Sequence, residues 1–300
     1  MIYTVTLNPS LDYTAEIGTK NFGKTNRTQG EYIVPGGKGL NTSIVLSRLK
    51  DSSVAFGFTS GFTGKELERL MKNYGTKCRF TKVKNGFTRI NVKFVSDEVT
   101  EFNGSGISVS DTDVKKICKN ISRLKSGDWL VLSGSAPNGA TEDIYKTLMK
   151  SAKDGVKIVL DTVGEPLKLA LLQKPFLVKP NIDELCDFFG AEITTDEGII
   201  TYAKKLNEMG AKNVLVSLGE KGAILLTENE DIIKCDIPKG EMLNTVGAGD
   251  SMVAGFIHEF TKSNDYNLAL KFAVAAGSAT AYSKWLAEKE LIETLYTEIR

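Results

Sequence analysis

The stretch Asn244-Thr-Val-Gly-Ala-Gly-Asp250-Ser251 leads directly into Met252-Val-Ala-Gly-Phe-Ile257, an apolar run with helical spacing. Consecutive small residues let the backbone N–H groups of Gly247, Ala248 and Gly249 turn inward together. They form an anion nest at a helix N-terminus, where unpaired amides and the helix dipole favour negative charge. Such a nest can stabilise charge on a transferring phosphoryl group. Asp250, in the first turn, is placed to take a proton from an attacking hydroxyl. A glycine-rich turn before an ordinary capped helix is the competing reading, and the surrounding chain has to decide between them.

Working outward, apolar runs at 2–7, 54–58, 129–133, 157–161, 176–179 and 214–218 are nearly continuous in Val, Ile, Leu or Phe. That is the pattern of strands covered on both faces. Helical patterns lie between them at 65–74, 111–124, 141–152, 182–189 and 196–209. Repeated strand–helix alternation predicts a mostly parallel sheet with right-handed crossovers, hence a three-layer α/β/α domain over 1–300. After residue 218 a short antiparallel patch and three helices are expected. Two stretches, 12–34 and 87–102, alternate polar and apolar residues instead, as in Arg89-Ile-Asn-Val-Lys-Phe-Val95. Antiparallel strands with one wet face read this way. They predict a small β-sheet lid inserted into the body, with exposed edges through which two subunits can pair.

Composition removes whole classes of function. The 300 residues carry 38 basic and 37 acidic side chains, a net charge of +1, which argues against a nucleic-acid partner. Cys78, Cys118, Cys186 and Cys235 show no CxxC or regular spacing and suit free thiols. The N-terminus reads as a strand, not a signal peptide, and no apolar run approaches the roughly 18 residues of a membrane span. A soluble cytoplasmic protein is expected. His258 is the single histidine, so Ser-His-Asp triads and two-histidine metal sites cannot be built; a packing role is expected for it. Residues 18–25, Gly-Thr-Lys-Asn-Phe-Gly-Lys-Thr, match the P-loop pattern, with 157–161 able to pose as its apolar run ending in a metal-binding Asp. The turn-rich residues that follow Thr25 deny the helix that a P-loop needs.

Three further segments carry candidate chemistry. In Val34-Pro-Gly-Gly37-Lys38-Gly39-Leu-Asn41 the glycines permit close backbone approach, Lys38 is a point cation, and Asn41 offers donor and acceptor in a first helical turn. Asp12 would add an acceptor pair for sugar hydroxyls. Val178-Lys-Pro-Asn181-Ile-Asp-Glu184 reads either as a helix cap or as a pair of side chains turned toward hydrated Mg²⁺. Ser217-Leu-Gly219-Glu-Lys-Gly222 is a tight turn that can lie against nucleotide phosphates.

In this order and spacing, the segments resemble the PfkB (ribokinase-like) carbohydrate kinases over essentially the whole chain, closest to the bacterial 1-phosphofructokinase branch. Residues 4–12, 35–41, 88–93, 132–135, 179–184 and 244–251 carry the likeness. The resemblance implies the α/β/α fold with a β lid that often pairs into a homodimer. It implies ATP-dependent phosphorylation of fructose 1-phosphate at O6, with tagatose-6-phosphate kinase or a silent sugar-phosphate sensor as alternatives. Asp250 then corresponds to the catalytic base, and the amides of Gly247, Ala248 and Gly249 to the anion hole. Asp12, Gly37, Lys38 and Asn41 correspond to sugar-binding positions, and Arg27 and Arg89 to lid residues on the substrate phosphate. Lys179, Asn181 and Glu184 match the triphosphate and Mg²⁺ segment, with Glu184 toward the metal. Ser217, Gly219, Gly222 and Thr245 match the ATP loops, and Val274 and Ser278 the adenine pocket. The chain departs from the pattern at Val163, where Ser is usual, and at Trp285, where Gly is usual. Trp285 counts against a monovalent-cation loop.

Overall fold

The computed structural model describes residues 1–18, 21, 23–96 and 98–299. In chain order the strands are β1 (Ile2–Thr6), β2 (Ser10–Glu16), β3 (Gly30–Gly36), β4 (Ser53–Thr59), β5 (Lys77–Cys78), β6 (Thr81–Lys82), β7 (Arg89–Val95), β8 (Val99–Asn103), β9 (Trp129–Ser133), β10 (Lys157–Asp161), β11 (Leu177–Val178), β12 (Asn213–Ser217), β13 (Ala223–Leu226) and β14 (Ile232–Cys235). The helices are α1 (Lys38–Arg48), α2 (Gly61–Asn73), α3 (Asp111–Ile121), α4 (Ile144–Ser151), α5 (Gly164–Leu171), α6 (Ile182–Phe189), α7 (Asp196–Glu208), α8 (Ala248–Ser263), α9 (Tyr266–Ala281) and α10 (Lys289–Glu298).

The central sheet runs β14-β13-β12-β11-β10-β9-β1-β4-β5, with β6 also on β4. From β12 to β4 every neighbouring pair is parallel, and β13 and β14 close one edge antiparallel. Successive side chains leave opposite faces of a strand, and β9 shows the result. Trp129 and Val131 join one core with Leu40, Leu67, Phe256, Ala273 and Ile292; Leu130 and Leu132 join a second with Ile117, Tyr145, Leu167, Leu185 and Leu206. Helices α1, α2, α8, α9 and α10 therefore cover one face and α3 to α7 the other. Residues 176–179 supply only a two-residue strand, because Pro180 has no N–H with which to extend the ladder.

The other four strands form a separate sheet, β3-β2-β7-β8. Its central pair, β2 with β7, is parallel, whereas alternation had suggested antiparallel pairing throughout. Alternation reports a half-buried strand but not its direction. Register sorts the two faces: Asp12, Asn91 and Asn103 form one polar row that ends on Val34, and Ile33, Tyr13, Val92 and Phe102 a mostly apolar row on the opposite face. The P-loop look-alike at 18–25 and the lid interval 12–34 both include Thr19, Lys20 and Phe22, which lie outside the described residues.

Among the described residues no helix is long and apolar enough to cross a membrane, and the four cysteines are free. His258 is buried, with Nδ1 2.6 Å from Asp51 and Nε2 2.6 Å from Lys262, a structural bridge outside the cleft described next.

Candidate active site

Parallel strands deliver their carboxyl ends to one edge of the sheet, where open α/β sheets place their ligand crevice. Here Thr6 of β1, Asp161 of β10, Lys179 after β11 and Ser217 of β12 open onto a cleft of about 1000 Å³. The N-termini of α1 and α8 meet over the same edge. Gly37 caps α1 at φ 124° and Gly247 caps α8 at φ 83°, both backbone conformations that favour glycine. A Cβ on Gly247 would stand 2.6 Å from Leu286 Cδ2, so the turn admits no larger residue without displacement.

Asp250 sits in the first turn of α8, 6% exposed. Its Oδ2 accepts from Asn41 Nδ2 at 2.8 Å, and Thr42 Oγ1 donates to its carbonyl at 3.3 Å, tying α1 to α8. Burial, and then the charge of Asp161, push its carboxyl up to about 6; the Asn41 bond and the ammonium groups of Lys38 and Lys179 pull the other way. A carboxylate so tuned is a competent base near neutral pH. Ser251 N bonds Gly247 O at 2.9 Å, and Ala248 N reaches Thr245 O only at 3.3 Å. The amides of Gly249 and Asp250, in the first turn, have no intrahelical acceptor and are the nest's best donors.

Two lysines and two further carboxylates complete the floor. Lys38 Nζ donates to Asp161 Oδ1 at 2.9 Å and to Glu184 Oε1 at 3.3 Å. Burial works to lower the Lys38 pKa, but Asp161 and Glu184 raise it, so the ammonium stays charged. Lys179 Nζ lies 3.7 Å from Asp161 Oδ2, and a Cβ on Gly249 would come within 2.9 Å of that ammonium. Asn181 caps α6 by accepting from Glu184 N at 2.6 Å, while Glu184 Oε2 accepts from Asn181 N at 3.0 Å. The helix-cap reading of that segment is therefore realised in full. Glu184 nevertheless lines the cleft, partly exposed.

The donor set bears on Mg²⁺. Among the described residues no group of three or more His, Cys, Asp or Glu side chains gathers into a metal cage. Mg²⁺ usually takes one or two carboxylates, waters and substrate phosphates. Glu184 at the cleft wall fits that mode, and the floor gives a reason for it. Two ammonium groups face three carboxylates, so the protein alone offers a polyphosphate no net positive charge. The 283–287 loop does not fit a monovalent cation. Arg48 donates to the Leu286 carbonyl and, at 3.0 Å, to that of Ala287, with its guanidinium 5.3 Å over the Trp285 ring. A positive charge already occupies those acceptors.

The lid forms the far wall. Asp12 Oδ1 accepts from Ser10 Oγ at 2.6 Å and Asn91 Nδ2 at 2.9 Å, which fixes the carboxylate toward the cleft. Arg89 is held by Asn8 O at 3.1 Å and Gly104 O at 3.3 Å. Of the residues singled out from the sequence, Asp12, Gly37, Lys38, Asn41, Arg89, Lys179, Asn181, Glu184, Ser217, Gly219, Gly222, Thr245, Gly247, Ala248, Gly249, Asp250, Val274 and Ser278 all line this cleft. Arg27 does not; it is exposed and outside the lining. Lys93, which strand spacing aligns with Arg89, is instead neutralised by Glu101 at 3.3 Å and Asp12 at 3.8 Å. Asp161 lines the cleft although the sequence did not nominate it as a site residue; its signal was a carboxylate ending a buried strand.

The chain is 42% identical over 301 residues to 1-phosphofructokinase of Bacillus subtilis, covering 100% of this chain and 99% of that protein. It is 34% identical over 302 residues to D-tagatose-1-phosphate kinase of Bacillus licheniformis, covering 100% and 99%. The crystal structure of Escherichia coli phosphofructokinase-2 in complex with potassium superposes with a TM-score of 0.92 at 30% identity, over 99% of this chain and 98% of that one. The model of the pfkB family carbohydrate kinases matches residues 6–289, and the chain belongs to that family.

Proposed function

We propose that this kinase phosphorylates fructose 1-phosphate at O6, giving fructose 1,6-bisphosphate and ADP. The observation that carries the reading is the polarity of the cleft: Asp250 and the α8 amides at the floor, Arg89 and Asp12 on the lid. A sugar held by its phosphate at Arg89 and by its hydroxyls at Asp12 presents its other end to Asp250. Fructose 1-phosphate then offers O6, whereas tagatose 6-phosphate has to offer O1. Likeness to 1-phosphofructokinases supports the same choice.

Asp250 takes the proton of the 6-hydroxyl as O6 approaches the γ-phosphoryl group. The amides at the N-terminus of α8, those of Gly249 and Asp250 foremost and those of Gly247 and Ala248 beside them, face the developing charge, where preorganised donors act most strongly. Lys179, Asn181, Ser217, Gly219, Gly222 and Thr245 hold the nucleotide phosphates and ribose end, and Val274 and Ser278 the base. Glu184 would hold the Mg²⁺ that accompanies ATP, and the ion would supply neutralisation of the triphosphate charge. At the 283–287 loop the Arg48 guanidinium stands on two of the carbonyls that a monovalent cation would use. The lid excludes water from the reacting phosphoryl group.

The apolar outer face of the lid, with Ile33 47% and Phe102 60% exposed, supports a homodimer by face-to-face packing. Such packing would use this face instead of the exposed edges of β3 and β8. A substrate panel with ATP tests the assignment: kcat/KM for fructose 1-phosphate should exceed that for tagatose 6-phosphate by at least about tenfold. Tagatose 1-phosphate belongs in the panel because it shares the same polarity. Equal or better turnover of tagatose 6-phosphate overturns the substrate and leaves the kinase reading intact.

A further inference from the structure

Among the described residues, seven buried side-chain polar atoms lack a hydrogen-bond partner; three belong to residues of the floor, Thr6 Oγ1, Asn41 Oδ1 and Asp161 Oδ2, and a fourth, Ser133 Oγ, lies on the strand between Thr6 and Asp161. Thr6, Ser133 and Asp161 are direct register partners at the ends of β1, β9 and β10, so the three form a row on one face of the sheet. Asp161 is the charged member, 2% exposed, following the buried Val159 and Leu160. A carboxylate buried for stability alone would have both oxygens hydrogen-bonded, because an unmade bond there is costly. Asp161 commits only Oδ1, to Lys38, and leaves Oδ2 to Lys179 at 3.7 Å, beyond hydrogen-bond distance.

We propose that Asp161 is a positioning residue for phosphoryl transfer: its carboxylate holds Lys38 and Lys179 on either side of the floor and sets its negative charge against Asp250. The proposal rests on the reading of Asp250 as the base. Three charged groups face Asp250: Lys38 from α1, Lys179 from the end of β11 and Asp161 from β10, with neutral Asn41 also from α1. Among these three, Asp161 alone opposes ionisation of Asp250. It therefore does two things at once. It keeps two ammonium groups from collapsing onto the base, and it makes the base a better proton acceptor. Lys38 and Lys179 stay separated, free to be recruited by incoming phosphate oxygens in place of Asp161.

The test is the kcat–pH profile of the full-length enzyme, with saturating MgATP and fructose 1-phosphate. The wild type, Asp161→Asn, Asp161→Glu and Asp250→Asn are compared. Substrate phosphates titrate identically in every case, so a difference between proteins belongs to the protein. Asp161→Asn should move the acid limb down by about one pH unit and lower plateau kcat about tenfold. Asp161→Glu, which restores the charge, should return the limb toward the wild-type position. If Asp161→Asn does not fold, Asp161→Asn with Lys179→Gln leaves no unpaired buried charge. Its limb should still move down, by less, because Asp161 outweighs Lys179 at Asp250. An acid limb at the wild-type pH in either variant overturns the proposal. Substantial activity in Asp250→Asn would instead sink the base reading, so the two failures are told apart.

Discussion

The floor of the cleft and its lid solve the same problem, holding charged groups ready for an anionic substrate, in opposite ways. On the floor, Asp161, Lys179 and Asp250 are all buried, and each charge is held by another charge or by a helix terminus. On the lid, Asp12 and Arg89 are partly exposed and held mostly by neutral groups: Ser10, Asn91 and two backbone carbonyls. Charges in a low-dielectric floor interact strongly and shift one another's protonation. Charges on a half-wet sheet interact weakly and can be moved with the sheet. The difference is the one that the proposed function calls for, with chemistry assigned to the floor and binding and selection to the lid.

The largest effect should come from the floor. Asp250→Asn keeps size and the bond to Asn41 but loses basicity, and should lower kcat by roughly 10²–10⁴-fold with sugar-phosphate KM nearly unchanged. A variant retaining more than about a tenth of wild-type kcat would reduce Asp250 to a first-turn helix residue. On the lid the split should reverse. Arg89→Ala should raise KM for the sugar phosphate about 10–100-fold, the worth of a charged hydrogen bond, with kcat changed far less. Arg89→Lys should recover only part of the loss, since an ammonium cannot match the planar fork. A kcat defect without a KM defect would remove Arg89 from the phosphate site.

Stability sharpens the contrast further. Folding raises the Asp250 pKa from 3.8 to about 6, so the folded state binds that proton more tightly. Stability from this group therefore falls as pH rises from about 4 to 6, and above that Asp250 is a fixed cost on the order of 2–3 kcal/mol. Asp250→Asn should be the more stable protein in urea unfolding at pH 8, with the gain gone near pH 4. Asp161 has the opposite sign. Burial works against its ionisation, but Lys179 and Lys38 win and lower its pKa, so its contribution is present at neutral pH and lost on acidification. A pH-independent gain in Asp250→Asn would mean that the carboxyl is not strained by burial. The smallest effect is expected on the lid, where Arg89→Ala, which frees the Asn8 and Gly104 carbonyls, should lower stability by only about 1 kcal/mol. Amide exchange in β2, β3, β7 and β8 should slow when sugar phosphate binds, while β9 and β10 stay as they were.

What could be read from the chain follows the same line. Residues 244–251 and 34–41 were legible because their chemistry is local: glycines, a helix start and one side chain within a few positions. The parallel body was legible because its strands are continuously apolar. Asp161 was not, because its meaning depends on Lys38, which lies 123 positions away. Lys93 shows the limit of periodicity. Alternation put it on the face of Arg89, but only cross-strand register reveals Glu101 opposite, which takes its charge. Arg27 was nominated by likeness alone, and within one chain it stays outside the cleft.

The division of labour is tested most directly by a double-mutant cycle on kcat/KM for fructose 1-phosphate with Asp250→Asn and Arg89→Ala. The two side chains share no hydrogen-bond partner. Independent sites should combine within about 0.5 kcal/mol, so the fold-losses of the single variants should multiply to within a factor of about two in the double variant. A double variant no worse than Asp250→Asn alone would show that floor and lid act as one unit, and would contradict the account.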